Sequence, residues 1–597
     1  MPQFTIPTKD SKKWIQPNKG DIFGNLWATF NMDFDVSQGK ARVSPMLRIN
    51  TDSVDDTDLG VPTAFLRANV GTDRYWALCG TRLFRTSSTN PTAAFTEAAT
   101  DDGGTTAPPT TMTEISSDMV VFNGKLYVSL PTDIAELDAT VWDNDWWTTI
   151  VVGTALTTGI PHPLCVSLKT NSFMVGDGNL LHITNKTENP KNSRVILPTE
   201  FEIIWIRSTS DGTWIGARHK TGGEGKVFFW DESAENYNRG YGVMSRLPLS
   251  CVIKDGIPYT ITTDGQLLKF TGLGFEEVAV LPCFKQINKN WDSGSDINLP
   301  VVHRNGMALI ENKIHININA YLNQGLVNLM ENFPSGIWTF DETQGLRHKY
   351  SLSQYDGTEI DYGSFLNPAG ALLATNLSQG SFLVGGRIYT NQSDSLYAIL
   401  YRNTDDSVNK RGHFITSVFE SSSFEDIFKD ILLSFKRFRN SGDRIIIKYR
   451  NIKNLNYPIQ GNGSWSSTTV FTVTGSGNPG SFANITASDE VMIIRGRGAG
   501  ATAKISSVSE SGGTYTITLA EAIPNVSGSM VFVVGDWTEA ATISTQSIER
   551  QSFDLDVVGT FIQLKVELRS APSGTAGAGD SPELEKIIIN SDKEILV

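Results

Sequence analysis

The feature that most constrains this chain is a short unit repeated along its first two-thirds: an apolar run, an Asn-Gly or Asp-Gly pair, and a second apolar run. Residues 119–129 (MVVFNGKLYVS) are the clearest copy. A pair such as Asn123–Gly124 suits positive φ at both turn positions, the two-residue hairpin chemistry whose twist matches the flanking strands. Residues 251–261 (CVIKDGIPYTI) repeat the unit at Asp255–Gly256, and 262–270 (TTDGQLLKF) add another hairpin at once. Residues 173–183 (FMVGDGNLLHI) are a further copy, and Asn305–Gly306 within 303–310 (HRNGMALI) is expected to start one more. Helical periodicity is nearly absent, so the class is all-β.

These units recur at roughly 35–50 residues, the length of a four-stranded propeller blade. About seven blades are expected, at 62–100, 112–152, 160–196, 200–245, 246–284, 300–350 and 360–403. Many end in an aromatic-rich strand: Trp76 with Phe84, Trp142 with Trp146 and Trp147, Trp214 with Phe228 and Trp230, and Trp338 with Phe340. Large rings at recurring places suit the wedge between neighbouring blades. The Gly-His…Trp-Asp signature of WD-type repeats is missing. Residues 31–55 form an extended run before the first blade, suited to supplying a strand that closes the last blade and removes an exposed sheet edge.

Past residue 405 the strands lengthen. Residues 411–420 (RGHFITSVFE), 443–450 (DRIIIKYR), 561–569 (FIQLKVELR) and 584–590 (LEKIIIN) read as a jelly-roll or immunoglobulin-like sandwich. Residues 423–436 (SFEDIFKDILLSFK) open like a capped helix, yet Ile431, Leu433 and Phe435 alternate with Leu432, Ser434 and Lys436, which reads as strand. The sandwich is interrupted by 461–538, which open on a Gly/Ser/Asn linker and continue through strand pairs sufficient for a small β-barrel. The expected organisation is an extended N-terminal segment over 1–60, a propeller over 61–405, a discontinuous β-sandwich over 406–460 and 539–597, and an inserted β domain over 461–538.

The 53 glycines suit many short strands joined by tight turns. A formal charge of −14 argues against a nucleic-acid backbone as the main partner, because phosphate neutralisation needs clustered Lys and Arg. Cys79, Cys165, Cys251 and Cys283 lie far apart and read as buried reduced thiols in strands. The first residues carry no secretory pattern, and no stretch approaches the ~18 apolar residues of a membrane helix, so synthesis in a cytoplasm without membrane insertion is expected.

Catalytic patterns are missing. His162, His182, His219, His303, His315, His348 and His413 are scattered singly, without metal-ligand spacing. Arg495-Gly496-Arg497-Gly498 opens no helix and reads as a turn between strands rather than a phosphate cradle. Asp55, Asp56 and Asp58, like Asp143 and Asp145, read as solvated acidic turns, not calcium loops. No catalytic, cofactor-binding or metal-binding residue is assigned, and no cofactor is expected.

Several segments together resemble propeller-bearing virion proteins of tailed phages, including nozzle and tail-tip components. The opening 24–31 (GNLWATFN) with 39–45 (GKARVSP), then 395–401 (SLYAILY), 411–417 (RGHFITS) and 445–450 (IIIKYR), carry the likeness, as do the closing 559–569 (GTFIQLKVELR) and 581–589 (SPELEKIII). Within the insertion, 471–473, 489–491, 498–505 (GAGATAKI) and 513–519 (GTYTITL) are similar to small β modules of phage and cell-surface proteins. The resemblance implies a structural, non-enzymatic role in a virion tail, as a homo-oligomeric ring contacting other tail proteins. Nucleic acid would meet it only by passing through a tail channel, if the chain is a nozzle. It carries over no functional residue. A receptor- or glycan-binding adhesin is the first alternative and predicts exposed rings at Trp146, Trp147 or Trp465. A propeller glycosidase is the second and predicts carboxylates of perturbed acidity at the channel mouth.

Overall fold

The computed structural model describes most of the chain; outside the described residues lie chiefly 8–25, 50–61, 99–107, 281–301, 319–335, 362–371, 403–410, 451–458, 475–481, 571–580 and 594–597, with shorter stretches elsewhere. The expected acidic turn at 55–58, Cys283 and Arg497 therefore fall outside the description.

The chain is nearly all β. Among the described residues, seven antiparallel four-stranded sheets follow one another, spanning Pro62–Val70 to Thr96–Glu97, Met119–Phe122 to Val141–Asp143, Leu164–Val166 to Lys191–Ile196, Phe201–Ser208 to Arg239–Gly242, Pro248–Lys254 to Phe275–Val280, Met307–Ile310 to Gly345–Tyr350, and Leu372–Asn376 to Ser395–Arg402. The fourth strand of the seventh sheet is Leu47–Ile49, which pairs antiparallel with Ser395–Arg402 through Ile49 and Leu400. The first strand of each sheet packs against the first strand of the next, and that of the seventh returns to Pro62–Val70. This cyclic order is the arrangement of a β-propeller.

The turn chemistry behaves as the sequence demands. Asn123 and Gly124 have φ of 50° and 79°, and Asp255 and Gly256 have 53° and 78°. Two expectations differ. Asn305–Gly306 does not make the hairpin of the sixth sheet; Glu311 and Asn312 do, with φ of 50° and 59°. Trp146 and Trp147 do not end a strand but open the short helix Trp146–Ile150. Asp133 fixes that turn, since its Oδ1 accepts from Trp147 N at 2.9 Å and Thr148 N at 3.2 Å.

Two six-stranded sheets form the rest of the main body. One contains Met32–Asp35, Lys40–Val43, Leu584–Lys593, Asp426–Phe435 and Arg550–Val558, with Gln3–Pro7 on Leu584–Lys593. The other contains Leu26–Phe30, Arg411–Thr416, Phe561–Arg569, Arg444–Arg450 and Thr538–Ile543, with Phe419–Glu420 on Phe561–Arg569. Both turn apolar side chains into one core: Phe34, Ile431, Leu433 and Phe435 from the first meet Phe414, Ile445, Ile447 and Val566 from the second. The alternation read over 423–436 is thus a buried strand face. Residues 1–60 are more than an extended segment, because four of their strands complete these sheets. Such pairing is set by partners hundreds of residues away.

The insertion is a closed barrel of Ile459–Trp465, Val470–Thr474, Thr514–Leu519, Thr502–Ser511, Glu490–Arg495 and Ser529–Gly535 around Phe471, Phe532, Val491 and Ile517. It covers the polar face of Phe561–Arg569, which period-two alternation would leave in water. Gln563, Lys565 and Glu567 are all buried there.

Candidate functional site

Three places concentrate polar chemistry: the axis of the ring, a cleft between two sheets, and the joints between modules.

At the axis, Arg304 precedes the sixth sheet and reaches the loop before the second, donating through Nη1 to Ile115 O at 2.7 Å and through Nη2 to Ser117 O. Arg207, from the first strand of the fourth sheet, donates to Cys251 O and Arg304 O, each at 3.0 Å. Asn305 Nδ2 donates to Thr63 O at 3.2 Å and Asp118 Oδ1 at 3.0 Å, while Asp118 Oδ2 accepts from Leu164 N at 3.2 Å. Ser250 Oγ adds a bond to Arg304 O at 2.7 Å. The knot therefore ties the first six sheets together around the axis. Burial, with Arg304 and Arg207 alongside, pushes His303 down to about 3, so its Nδ1 stays a neutral acceptor for Asn305 N–H.

The cleft lies between the fourth and fifth sheets and encloses about 820 Å³. Strand alternation puts the turns after the first and third strands of a sheet on one side of the ring, and four such turns rim the cleft, through Asp211, Asp231, Gly256 and Thr271. Its wall is aromatic. Trp214 lies 4.7 Å from both Phe229 and Phe270 between ring centroids, and Tyr241 lies 5.0 Å from Phe270 at 65°. Trp214 is buried at the base, whereas Phe229, Tyr241 and Phe270 are part-exposed.

The cleft's charges are partly spent. Asp231 accepts from Ala234 N and Ser233 N at 2.9 Å each, which holds its carboxyl at about 2. Lys269 is bound to Glu342, which also accepts from the Tyr259 hydroxyl at 2.8 Å. Arg239 has no ion pair and the Tyr241 hydroxyl no hydrogen bond among the described residues. Sequence reading placed Trp214 and its neighbours as packing between blades. That holds for Trp214; the half-open rings above it gave no separate signal.

At the joints, Phe30 stacks with His348 of the sixth sheet (5.2 Å, 4°) and with His413 of the second six-stranded sheet (5.4 Å, 22°). His348 Nδ1 accepts from Asn31 N at 3.1 Å, so it too is an unprotonated acceptor at that nitrogen. Gly412 allows this approach, because a Cβ there would stand 2.6 Å from Asn31 O. The barrel is fixed by a buried cluster: Glu490 accepts from Lys565 Nζ at 2.5 Å and from Lys448, and Glu567 accepts from Arg569 Nε at 2.7 Å. Trp537 seals its edge beneath Arg450, 4.4 Å from the ring.

The remaining candidates are dispersed. His162 sits with Nδ1 3.1 Å from Gly176 O, and burial lowers its proton affinity. His182 packs edge-on to Trp147, His219 to Phe201, and His315 beside Tyr350. Cys79, Cys165 and Cys251 are free thiols, and burial pushes Cys165 up to about 11 and Cys251 to about 12. The Asp143 carboxyl is raised, by burial and then by Asp145, and it lies on the outer strand of the second sheet. No group of three or more His, Cys, Asp or Glu among the described residues is placed to hold a metal ion. No described helix is long and apolar enough to cross a membrane. Trp146, Trp147 and Trp465 are buried, so none of the three offers a ring to a ligand.

No family model and no curated protein matches this chain. Among solved structures it is similar to BamB from Moraxella catarrhalis at 11% identity and a TM-score of 0.34, covering 60% of this chain and 98% of that one. It is similar also to the WD40 β-propeller domain of Doa1 at 10% identity and a TM-score of 0.33, covering 60% and 97%. The class, a nearly all-β chain with a propeller-like ring of sheets, rests on the strand pairing described above.

Proposed function

We propose that this chain is a non-enzymatic structural component of a phage tail, acting through protein–protein contacts in a symmetric assembly with other tail proteins. In this reading it is a seven-bladed propeller followed by a β-sandwich that carries a small inserted barrel. The cyclic packing of the seven first strands supports the blade number, and the single core shared by the two six-stranded sheets supports the sandwich. The observation that carries the functional reading is that both joints between modules are buried. Phe30 with His348 and His413 fixes one; Glu490 with Lys448 and Lys565 fixes the other. Linked domains ordinarily move against one another unless their interface is large and well packed. A chain that removes this freedom is suited to bearing load in a ring, where each copy repeats one heterologous contact. The polar knot fills the axis of the propeller, so any channel for nucleic acid runs between copies and not through one.

The test is the mass of the purified protein in solution, followed by electron cryomicroscopy of the particle that carries it. An ordered ring of copies in the tail, in contact through the sandwich, supports the proposal. Isolated flexible copies at the tail periphery, or absence from any virion, overturns it.

A further inference from the structure

We infer that the cleft between the fourth and fifth sheets binds a neutral oligosaccharide, stacked on Tyr241 and Phe270 and held by Arg239 and Asp211 at its rim. The inference is independent of the tail assignment.

The size is suitable: about 820 Å³ falls within the roughly 300–1,000 Å³ of small-molecule sites. The wall decides the ligand class. Trp214 and Phe275 pack against Tyr241 and Phe270 in edge-on and tilted contacts, so the part-exposed rings are fixed platforms. An apolar pocket built for an aliphatic ligand has no use for a rim of unpaired polar groups. Here the Tyr241 hydroxyl and the Arg239 guanidinium have no partner among the described residues, and the Asp211 carboxylate meets only Ser210 Oγ at 3.5 Å. A guanidinium, a carboxylate and a phenol together offer both donors and acceptors, as a run of sugar hydroxyls requires.

Charge narrows the class further. Lys269 is neutralised by Glu342, and the Asp231 carboxylate is offset by Lys169, whose Nζ donates to Asp231 O at 2.7 Å and Asp211 O at 3.3 Å. Arg239 and Asp211 add one charge of each sign, so the rim sums to zero. A phosphorylated ligand would need an excess of cations. A quaternary ammonium in an aromatic cage would face the Arg239 charge. A neutral polyhydroxylated chain meets neither obstacle. Leu273, 93% exposed on the turn that supplies Thr271 and Gly272, extends the apolar rim beyond the cleft.

The experiment uses the full chain on an array of immobilised neutral oligosaccharides (oligomers of glucose, mannose, galactose and N-acetylglucosamine), with sulfated and uronic-acid oligomers alongside. The best neutral binder is then titrated calorimetrically against wild type, Tyr241→Ala, Tyr241→Phe, Arg239→Ala and the same-side surface control Leu168→Ser. Thermal melts report folding. The expected result is binding of a neutral oligomer that weakens at least tenfold in Tyr241→Ala and Arg239→Ala, several-fold in Tyr241→Phe, and not at all in Leu168→Ser. If Tyr241→Ala does not fold, Tyr241→Phe and Arg239→Ala decide. Binding to no neutral oligomer, binding to acidic oligomers alone, or affinities within twofold of wild type in the cleft variants overturns the inference.

Discussion

Lys349 Nζ stands 3.0 Å from Asp33 Oδ1, a nearly dry ion pair joining the outer strand of the sixth sheet to the hairpin of Met32–Asp35 and Lys40–Val43. Burial alone would raise the Asp33 carboxyl, but Lys349 and Arg42 beside it hold it well below the usual carboxylate range. Burial likewise disfavours the Lys349 ammonium, and Asp33 more than offsets it. Together with Arg347, whose guanidinium lies 4.6 Å from the Phe34 ring, the pair makes the hairpin a wedge between the ring and the six-stranded sheets.

Asp33→Asn leaves the Lys349 ammonium buried without a counter-charge. Loss of one partner of a buried pair costs about 3–5 kcal/mol. The denaturation midpoint should fall accordingly, and limited proteolysis should cut between the ring and the six-stranded sheets. A midpoint within 1 M urea of wild type, with no new cleavage, would count against the wedge.

Glu490→Gln removes the carboxylate that faces Lys448 and Lys565 at once. The expected loss is again about 3–5 kcal/mol, and it should appear as early melting of the barrel contact with Phe561–Arg569. Hydrogen exchange along Phe561–Arg569 reads this directly: protection should drop at Lys565 and Glu567 while Phe201–Ser208 keeps its own.

Gly216→Ala tests the packing of the fourth sheet. A Cβ at Gly216 would lie 2.0 Å from the Trp205 indole, whose Nε1 donates to Pro248 O at 2.9 Å. Trp205 is fully buried and cannot move without losing that bond. Overpacking of this kind costs about 1–3 kcal/mol or more, and tryptophan fluorescence should shift with the lowered melting temperature. An unchanged melt would show that the indole has room to yield.

Stability should fall on acidification from pH 7.5 to 5. His303, His315 and His413 have folded proton affinities depressed by burial first, then by Arg304 and Arg207, by Lys349 with Arg402 and Lys313, and by Lys565 with Lys448, respectively. The unfolded chain therefore binds more protons below the ordinary histidine value. The stabilisation is complete above about pH 6.5 and declines as pH falls toward the folded values. Each such histidine removes up to about 1.4 kcal/mol per pH unit in that window. Thermal melts at pH 7.5, 6.0 and 5.0 read the effect; a level or rising series contradicts the neutral burial of these rings.

What the sequence made legible is what short range decides. Asn123–Gly124 and Asp255–Gly256 announce their turns because positive φ excludes most residues, and the spacing of such units places sheets between residues 62 and 402. The strand at Asp426–Phe435 shows itself by the alternation of Ile431, Leu433 and Phe435. Long-range choices leave no such mark. Nothing local separates Asn305–Gly306, spent at the axis, from a hairpin turn. Phe30 looks like any strand aromatic until His348 and His413 meet it. The alternation of Phe561–Arg569 predicts one wet face, yet the barrel covers Lys565 and Glu567. In the cleft, Tyr241 and Arg239 sit in an unremarkable stretch, and their partner ring Phe270 comes from the next sheet.

Because Gln3–Pro7 pairs with Leu584–Lys593, Ile6 cannot find Ile587 until the ribosome has made nearly the whole chain. At about 5–20 residues per second, that delay is on the order of half a minute to two minutes. Over this interval the ring of sheets can close, using Leu47–Ile49, while Gln3–Pro7 ahead of that segment waits without its partner. Vectorial synthesis thus imposes an order: the ring before the six-stranded sheets, with the first strand made among the last to dock. An emerging N-terminus held by a tag or a chaperone should delay maturation of the six-stranded sheets and leave the ring intact.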